Sequence, residues 1–199
     1  MRTANVSRKT KETDITVTVN IDGRGDADVS TGVGFFDHML AAFAKFGRFD
    51  ISVTCDGDLS VDAHHTVEDV GLCLGDAFAR ACADKAGVTR AAHAYVPMDE
   101  ALAFVALDLS GRGMMAMATP LPSEMIGSFN ARLAEEFFRA FAMRGGATMH
   151  MSVTCAAGYS GNAHHMVEAL FKAAGMALGL AVLRDPRITG IIPSTKGVI

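Results

Sequence analysis

One hexapeptide occurs twice in this chain and limits what it can fold into. Ala63-His64-His65-Thr66-Val67-Glu68 returns as Ala163-His164-His165-Met166-Val167-Glu168. Laying residues 51–69 on 151–169 gives ten identities in nineteen positions, with Ser-Val-Thr-Cys upstream in both copies. A long-period repeat sets architecture before any single element does, because each copy must bury the same apolar face. The correspondence extends well beyond the hexapeptide. Arg2 falls on Arg90, Glu12 on Glu100, and Gly23-Arg24-Gly25 on Gly111-Arg112-Gly113; the spacing then changes and His38 falls on Glu136.

Each half yields the same order of elements. Ile15, Val17, Val19 and Ile21 alternate with polar residues, a period of two that predicts a strand over 14–21. Flanking strands are expected over 2–9 and 27–31. Phe35, Phe36, Met39, Leu40 and Phe43 share one face of a helix over 35–46, a strand follows over 49–55, and a long helix runs from His64 to Lys85. The second half repeats this, with strands over 90–96 and 101–109 and a Met-rich third strand. A helix over 131–144, a strand over 148–155 and a helix over 164–183 complete it. The expectation is an α+β fold made by internal duplication of a β-β-β-α-β-α unit. Residues 1–88 form one half, 89–185 the other and 186–199 a tail, all within one compact domain whose helices bury their apolar faces together between the sheets.

Composition narrows the partners. With a net charge of −4 the chain lacks the basic footprint of a nucleic-acid binder. Its apolar runs are interrupted by charges, so no membrane span is expected, and Met1–Asn5 has no secretory apolar core. A cytoplasmic setting follows as an expectation. Cys55, Cys73, Cys82 and Cys155 contain no C-x-x-C pair. Cys55 and Cys155 take equivalent repeat positions in apolar strands and read as small buried hydrophobes in a reducing compartment.

The doubled motif points to metal. On a helix, Glu68 can lie beside both His64 and His65. The two imidazoles point roughly 100° apart around the axis, so each suits a different ion. One His-His at a helix start reads as a cap or surface feature; two copies, each with Glu at the same offset, read as ligands for a dinuclear site. Imidazole and carboxylate favour Mn, Fe, Zn or Ni over Mg or Ca, and the ligand supply suits six-coordinate Mn or Fe better than four-coordinate Zn. His38 begins an apolar helix, where a lone histidine would ordinarily serve the core. His93 and His150 have no such context and read as structural.

Taken together, these segments resemble the imidazoleglycerol-phosphate dehydratase family over nearly the whole length. The resemblance is carried by Thr31-Gly32-Val33-Gly34-Phe35-Phe36-Asp37-His38-Met39-Leu40 and Asp62-Ala63-His64-His65-Thr66-Val67-Glu68-Asp69. It is carried further by Val96-Pro97-Met98-Asp99-Glu100-Ala101-Leu102-Ala103, Asp108-Leu109-Ser110-Gly111-Arg112 and Asn162-Ala163-His164-His165. It closes with Glu168-Ala169-Leu170-Phe171-Lys172-Ala173 and Pro193-Ser194-Thr195-Lys196-Gly197. The resemblance implies two four-stranded sheets with the helices between them. It also implies two manganese ions (Mn2+) per active site, with Fe2+ or Zn2+ as alternatives. The assembly it implies is an octahedral homo-oligomer of about 24 subunits with active sites between subunits. The implied metal ligands are His38, His64, His65, Glu68, His164, His165 and Glu168, joined by Glu136 where the family often has His. The implied substrate contacts are Glu12, Arg90, Arg112, Ser194 and Lys196, the last four suited to phosphate. The chain departs from the family pattern in a longer loop around 156–160, in Arg132 and in the Met114-Met115 run.

The implied reaction turns imidazoleglycerol phosphate, a phosphorylated imidazole substrate, into imidazole acetol phosphate in histidine biosynthesis, without a redox cofactor. The hydrogen lost lies on a carbon with no activating carbonyl. A metal-stabilised imidazolate would expel the neighbouring hydroxyl and give a diazafulvene-like intermediate that then loses the proton. Glu12 and Glu168 are the candidate proton carriers. Two other readings compete: a dinuclear metallohydrolase, disfavoured by the lack of Asp-rich motifs, and a metal-binding storage or structural assembly.

Overall fold

The computed structural model describes residues 1–158 and 160–199. The first half runs β1 (Thr3–Lys9), β2 (Thr13–Asn20), β3 (Ala27–Ser30), α1 (Gly34–Gly47), β4 (Asp50–Gly57) and α2 (His64–Cys82). The second runs β5 (Ala91–Met98), β6 (Ala101–Asp108), β7 (Met114–Met117), β8 (Met125–Ile126), β9 (Phe129–Asn130), α3 (Leu133–Gly145), β10 (Thr148–Cys155) and α4 (Ala163–Ala181). A single 3-10 turn, Pro186–Ile188, interrupts the tail. The sheet orders match, β1-β2-β4-β3 and β5-β6-β10-β7, with the short edge strand parallel to its neighbour in each. The duplicated α+β fold with two four-stranded sheets is therefore present. Among the described residues no helix is long and apolar enough to cross a membrane.

The period of two explains the sheets. Ile15, Val17 and Val19 are fully buried while the residues between them are exposed. The four helices fill the space between the sheets and pair crosswise, α1 on α4 and α2 on α3. Glycine permits the close approach. A Cβ on Gly75 would strike the Phe141 carbonyl oxygen and the Gly145 amide, and one on Gly175 would strike the Phe43 carbonyl and the Gly47 amide. Rings from both halves meet at this crossing: Phe36 and Phe137 lie 5.5 Å apart, Phe43 and Phe141 5.8 Å, and Phe36 and Phe171 6.5 Å.

Two expectations are corrected. The third strand of the second half does not lead straight to a helix; a small hairpin, β8–β9, intervenes. The spacing between matched positions rises from 88 (Gly25 and Gly113) to 98 (His38 and Glu136), and this hairpin lies in the ten added residues. Its strands are two residues each, too short to show a period. Phe129 pins it, fully buried against Phe35 at 5.4 Å and Phe36 at 5.9 Å.

The second correction concerns Cys55 and Cys155. Ile15 pairs with Cys55, whereas its counterpart Ala103 pairs with Val153; Cys155 lies opposite Ala101 and matches Gly57, opposite Thr13. The shared Ser-Val-Thr-Cys is slipped by two places, which keeps every side chain on its original face and so hides the slip from a pattern search. Cys55 is buried and Cys155 half-buried. The loop before α4 is accordingly two residues longer than the one before α2, taking the spacing from 98 to 100. Tyr159, within that loop, lies outside the described residues.

Candidate metal centre

Both His-His-x-x-Glu motifs begin their helices. Asp62 Oδ1 accepts the His64 N–H at 2.7 Å, and Asn162 Oδ1 accepts the His164 N–H at 2.9 Å, so each first histidine is fixed by a side chain two residues upstream. Phe35 stands edge-on to His164 with centroids 4.9 Å apart. Adjacent histidines diverge as helix geometry requires: the His64 and His65 rings are 6.1 Å apart at 88°, and His164 and His165 are 6.0 Å apart at 79°. In consequence each Glu sides with the first histidine alone. Glu68 Oε2 lies 3.5 Å from His64 Nε2, and Glu168 Oε2 lies 3.1 Å from His164 Nε2.

The crosswise pairing of α1 with α4 brings His38 to this point. Its Nε2 is 3.4 Å from Glu168 Oε2, and single ligand atoms of His38, His164 and Glu168 all lie within 4.8 Å of one another. Donors ~2.0–2.2 Å from a common ion have this mutual spacing, so the three side chains fit a transition metal. Glu168 is buried and Lys172 Nζ grips its Oε1 at 2.6 Å. Burial pushes the Glu168 carboxyl pKa up; the Lys172 hydrogen bond and charge, with help from His38 and His164, outweigh burial and hold it below the ordinary glutamate range.

The matching trio of the first half stays apart. Glu136, in the place of His38, is half-buried and bonded to Arg139 at 2.6 Å. His64 and Glu68 pair with each other.

The second histidines carry a different arrangement. His65 Nδ1 lies 3.0 Å from Asp58 Oδ2, and this contact raises its pKa. His165 Nδ1 lies 2.9 Å from Glu100 Oε2. Glu100 is held at a pKa of about 2 by the Asn162 N–H first and His165 second. A carboxylate on Nδ1 fixes the ring and leaves Nε2 to face outward, a common support for a metal-ligating imidazole. His65 Nε2 faces Glu12 Oε1 at 3.8 Å, and His165 Nε2 faces Asp99 Oδ2 at 3.5 Å.

The basic residues gather elsewhere. Arg90 makes a two-pronged pair with Asp108, at 2.7 and 3.0 Å, and donates to the Pro193 carbonyl at 2.6 Å. It thereby ties down the tail. Ser194 Oγ accepts the Lys196 N–H at 3.2 Å, and the tail ends with Ile199 against Gly111, beside exposed Arg112. This group sits at the C-terminal end of α4, where the Arg90 N–H meets the Ala181 carbonyl at 2.9 Å. His164 and His165 begin the same helix, about 24 Å away at 1.5 Å per residue.

Four supporting residues escaped the sequence reading: Asp58, Glu100, Lys172 and Asp108. Lys172 lies one helical turn after Glu168, and Glu100 is the repeat partner of Glu12; both signals were available. Asp58 and Asp108 act across space and leave no local sign.

Comparison with known proteins identifies the family and the fold. The model of the imidazoleglycerol-phosphate dehydratase family matches residues 31–178. Imidazoleglycerol-phosphate dehydratases of Thermoanaerobacter sp. (strain X514) and Nitrosomonas europaea are 53% and 52% identical to it; each match covers all of this chain and 100% and 99% of the relative. Among solved structures, the dehydratase from Staphylococcus aureus superposes with a TM-score of 0.81 at 33% identity, covering 92% of this chain and 99% of that one. The enzyme from Pyrococcus furiosus in complex with (S)-C348 gives 0.80 at 34%, covering 98% and 100%. The chain belongs to the imidazoleglycerol-phosphate dehydratase family.

Proposed function

We propose that the chain is a metal-dependent dehydratase that converts imidazoleglycerol phosphate to imidazole acetol phosphate in histidine biosynthesis. The observation that carries the metal dependence is the trio His38, His164 and Glu168, drawn from two helices and two halves onto one point. The imidazole and carboxylate donors suit Mn2+, and the full candidate set of five imidazoles and three carboxylates supplies enough ligands for two ions. Bound metal would make the substrate ring a better anion, so that its electrons expel the neighbouring hydroxyl.

The side chains divide the remaining work. Glu168 has Oε1 taken by Lys172 and Oε2 turned to two histidines, which suits a fixed ligand. Glu12 is exposed beside His65 and suits proton transfer through its Oε1. Arg90 anchors the tail, and Arg112, Ser194 and Lys196 present donors to the phosphate. His64, His65, Glu68, Glu136 and His165 complete the ligand set from neighbouring copies. The distance between the basic group and the motif supports such sharing. A substrate of one ring, three side-chain carbons and a phosphate is far too short to bridge about 24 Å along α4. On this reading the phosphate clamp and the α4 ligands of one site would come from different subunits of a homo-oligomer, with octahedral symmetry the arrangement proposed.

Complementation of a histidine auxotroph lacking the dehydratase tests the activity, and metal analysis of the purified protein tests the ligands. Growth, together with metal loss and failure to grow in a His64→Ala/His164→Ala variant, is expected. Full activity in that double variant would overturn the metal reading.

A further inference from the structure

Asp69 follows the last residue of the first motif, and both it and Thr13 are buried. Asp69 Oδ2 accepts from the Thr13 hydroxyl at 2.5 Å and from the Arg8 guanidinium. Thr13 closes the turn that carries Glu12. There the Thr10 hydroxyl oxygen accepts the Glu12 N–H at 3.1 Å and the Thr13 N–H at 3.0 Å, and lies 3.3 Å from the Thr13 hydroxyl. The Glu12 carbonyl accepts the Asp58 N–H at 3.0 Å. Both backbone groups of Glu12 are therefore engaged, and the chain of bonds leads to Asp69.

The second half makes the matching turn without this network, with Asp99 at a left-handed φ of 47° where its counterpart Lys11 is not left-handed. The counterparts of Arg8, Thr10, Thr13 and Asp69 are Val96, Met98, Ala101 and Ala169, and Val96, Ala101 and Ala169 are buried. The carbonyl bond persists there, from the Ala156 N–H to Glu100 at 2.9 Å. Apolar residues thus suffice for the fold, and a half-buried ion pair such as Arg8–Asp69 need be no more stabilising than well-packed apolar groups of its size. What differs is the glutamate. The Glu100 carboxylate is held by the Asn162 N–H and by His165, whereas the Glu12 carboxylate is exposed and directed at His65 Nε2.

We propose that Asp69, with Arg8, Thr10 and Thr13, is a positioning element that holds the Glu12 turn so that its carboxylate meets the substrate. The proposal rests on the assignment of Glu12 as proton carrier. The test copies the second half into the first: Arg8→Val, Thr10→Met, Thr13→Ala and Asp69→Ala together. The manganese-loaded variant should melt at or above the parent temperature and keep its KM, while kcat falls about 10²-fold. Hydrogen exchange at the Glu12 amide should accelerate. Glu12→Gln should cost far less in this background than in the parent, because the two changes strike one function.

Thr13→Ser should keep the parent kcat and Thr13→Val should lose it; this pair decides the matter if the fourfold variant does not fold. A folded fourfold variant with the parent kcat, or Thr13→Val as active as Thr13→Ser, overturns the proposal. If Glu12→Gln alone leaves kcat intact, the assignment of Glu12 fails instead. Exchange at its amide then still decides whether the network holds the turn.

Discussion

At the start of α4, Glu168 is buried, with Lys172 at 2.6 Å, His164 at 3.1 Å and His38 at 3.4 Å. At the start of α2, the matching Glu68 is 44% exposed and meets His64 at 3.5 Å. The motif is the same and the fold beneath it is the same. Three of the differences around them bear on the carboxylate: Lys172 is matched by Leu72, His38 by Glu136, and Arg139, which pairs with Glu136, by Ala41. Duplicating a motif therefore does not duplicate its site. Residues one helical turn away decide whether the carboxylate is gathered or left open.

The largest effect should come from the gathered corner. Glu168→Ala should lower kcat by about 10³-fold, in the range of losing a central group, and should strip metal from the protein. Lys172→Met should weaken metal binding by about 10- to 100-fold, as loss of a supporting contact does, whereas Leu72→Met should leave it unchanged. Metal titration followed by calorimetry checks both; equal effects would erase the contrast between the corners.

Packing offers the opposite outcome, because there the halves agree. Gly75→Ala and Gly175→Ala each place a Cβ against a carbonyl of the facing helix and should each cost about 1–3 kcal/mol in thermal melts. A tolerated change on one side alone would show that the crossing is not symmetric.

Asp50 sharpens the comparison of sheets. Its Oδ1 accepts three backbone N–H groups, from Arg24, Gly25 and Asp26, and its counterpart is Thr148. The Arg24 N–H bond leads the causes that hold its carboxyl below the ordinary aspartate range. Its folded-state pKa is depressed, so its contribution is complete above the unfolded value and lost as pH falls through the folded one. Asp50→Asn should cost about 1 kcal/mol at neutral pH. It should also flatten the fall in melting temperature with acid below about pH 4. The smallest effect is reserved for Arg139→Ala, which breaks an exposed pair and should change stability by less than about 0.5 kcal/mol.

Much of this was legible in the chain itself. Alternation of Ile15, Val17 and Val19 marks the strand, and the repeat carries the duplicated architecture. The adjacent histidines diverge because a helix turns by a fixed angle. Other parts could not be read that way. The slip of Ser-Val-Thr-Cys by two residues preserves every inward and outward face, so no pattern of burial betrays it. The β8–β9 hairpin is held by one buried ring, Phe129, and has no period of its own. Asp58 and Asp108 find their partners through tertiary contact. The separation of Arg90 from His165 follows from the Arg90 N–H meeting the Ala181 carbonyl at the far end of α4, a contact only the folded chain reveals.

The crosswise pairing of helices has a consequence for origin and assembly. Because α1 rests on α4 and α2 on α3, each half encloses its aromatic rings only with the other half present. A single unit in water would expose that surface and would be expected to associate with a second copy of itself. The present chain is in effect a pseudo-symmetric dimer of two related halves joined by the link between Cys82 and Ala91. Within one chain the two partners need not be identical: one carries a polar network under its glutamate, and the other carries apolar residues there.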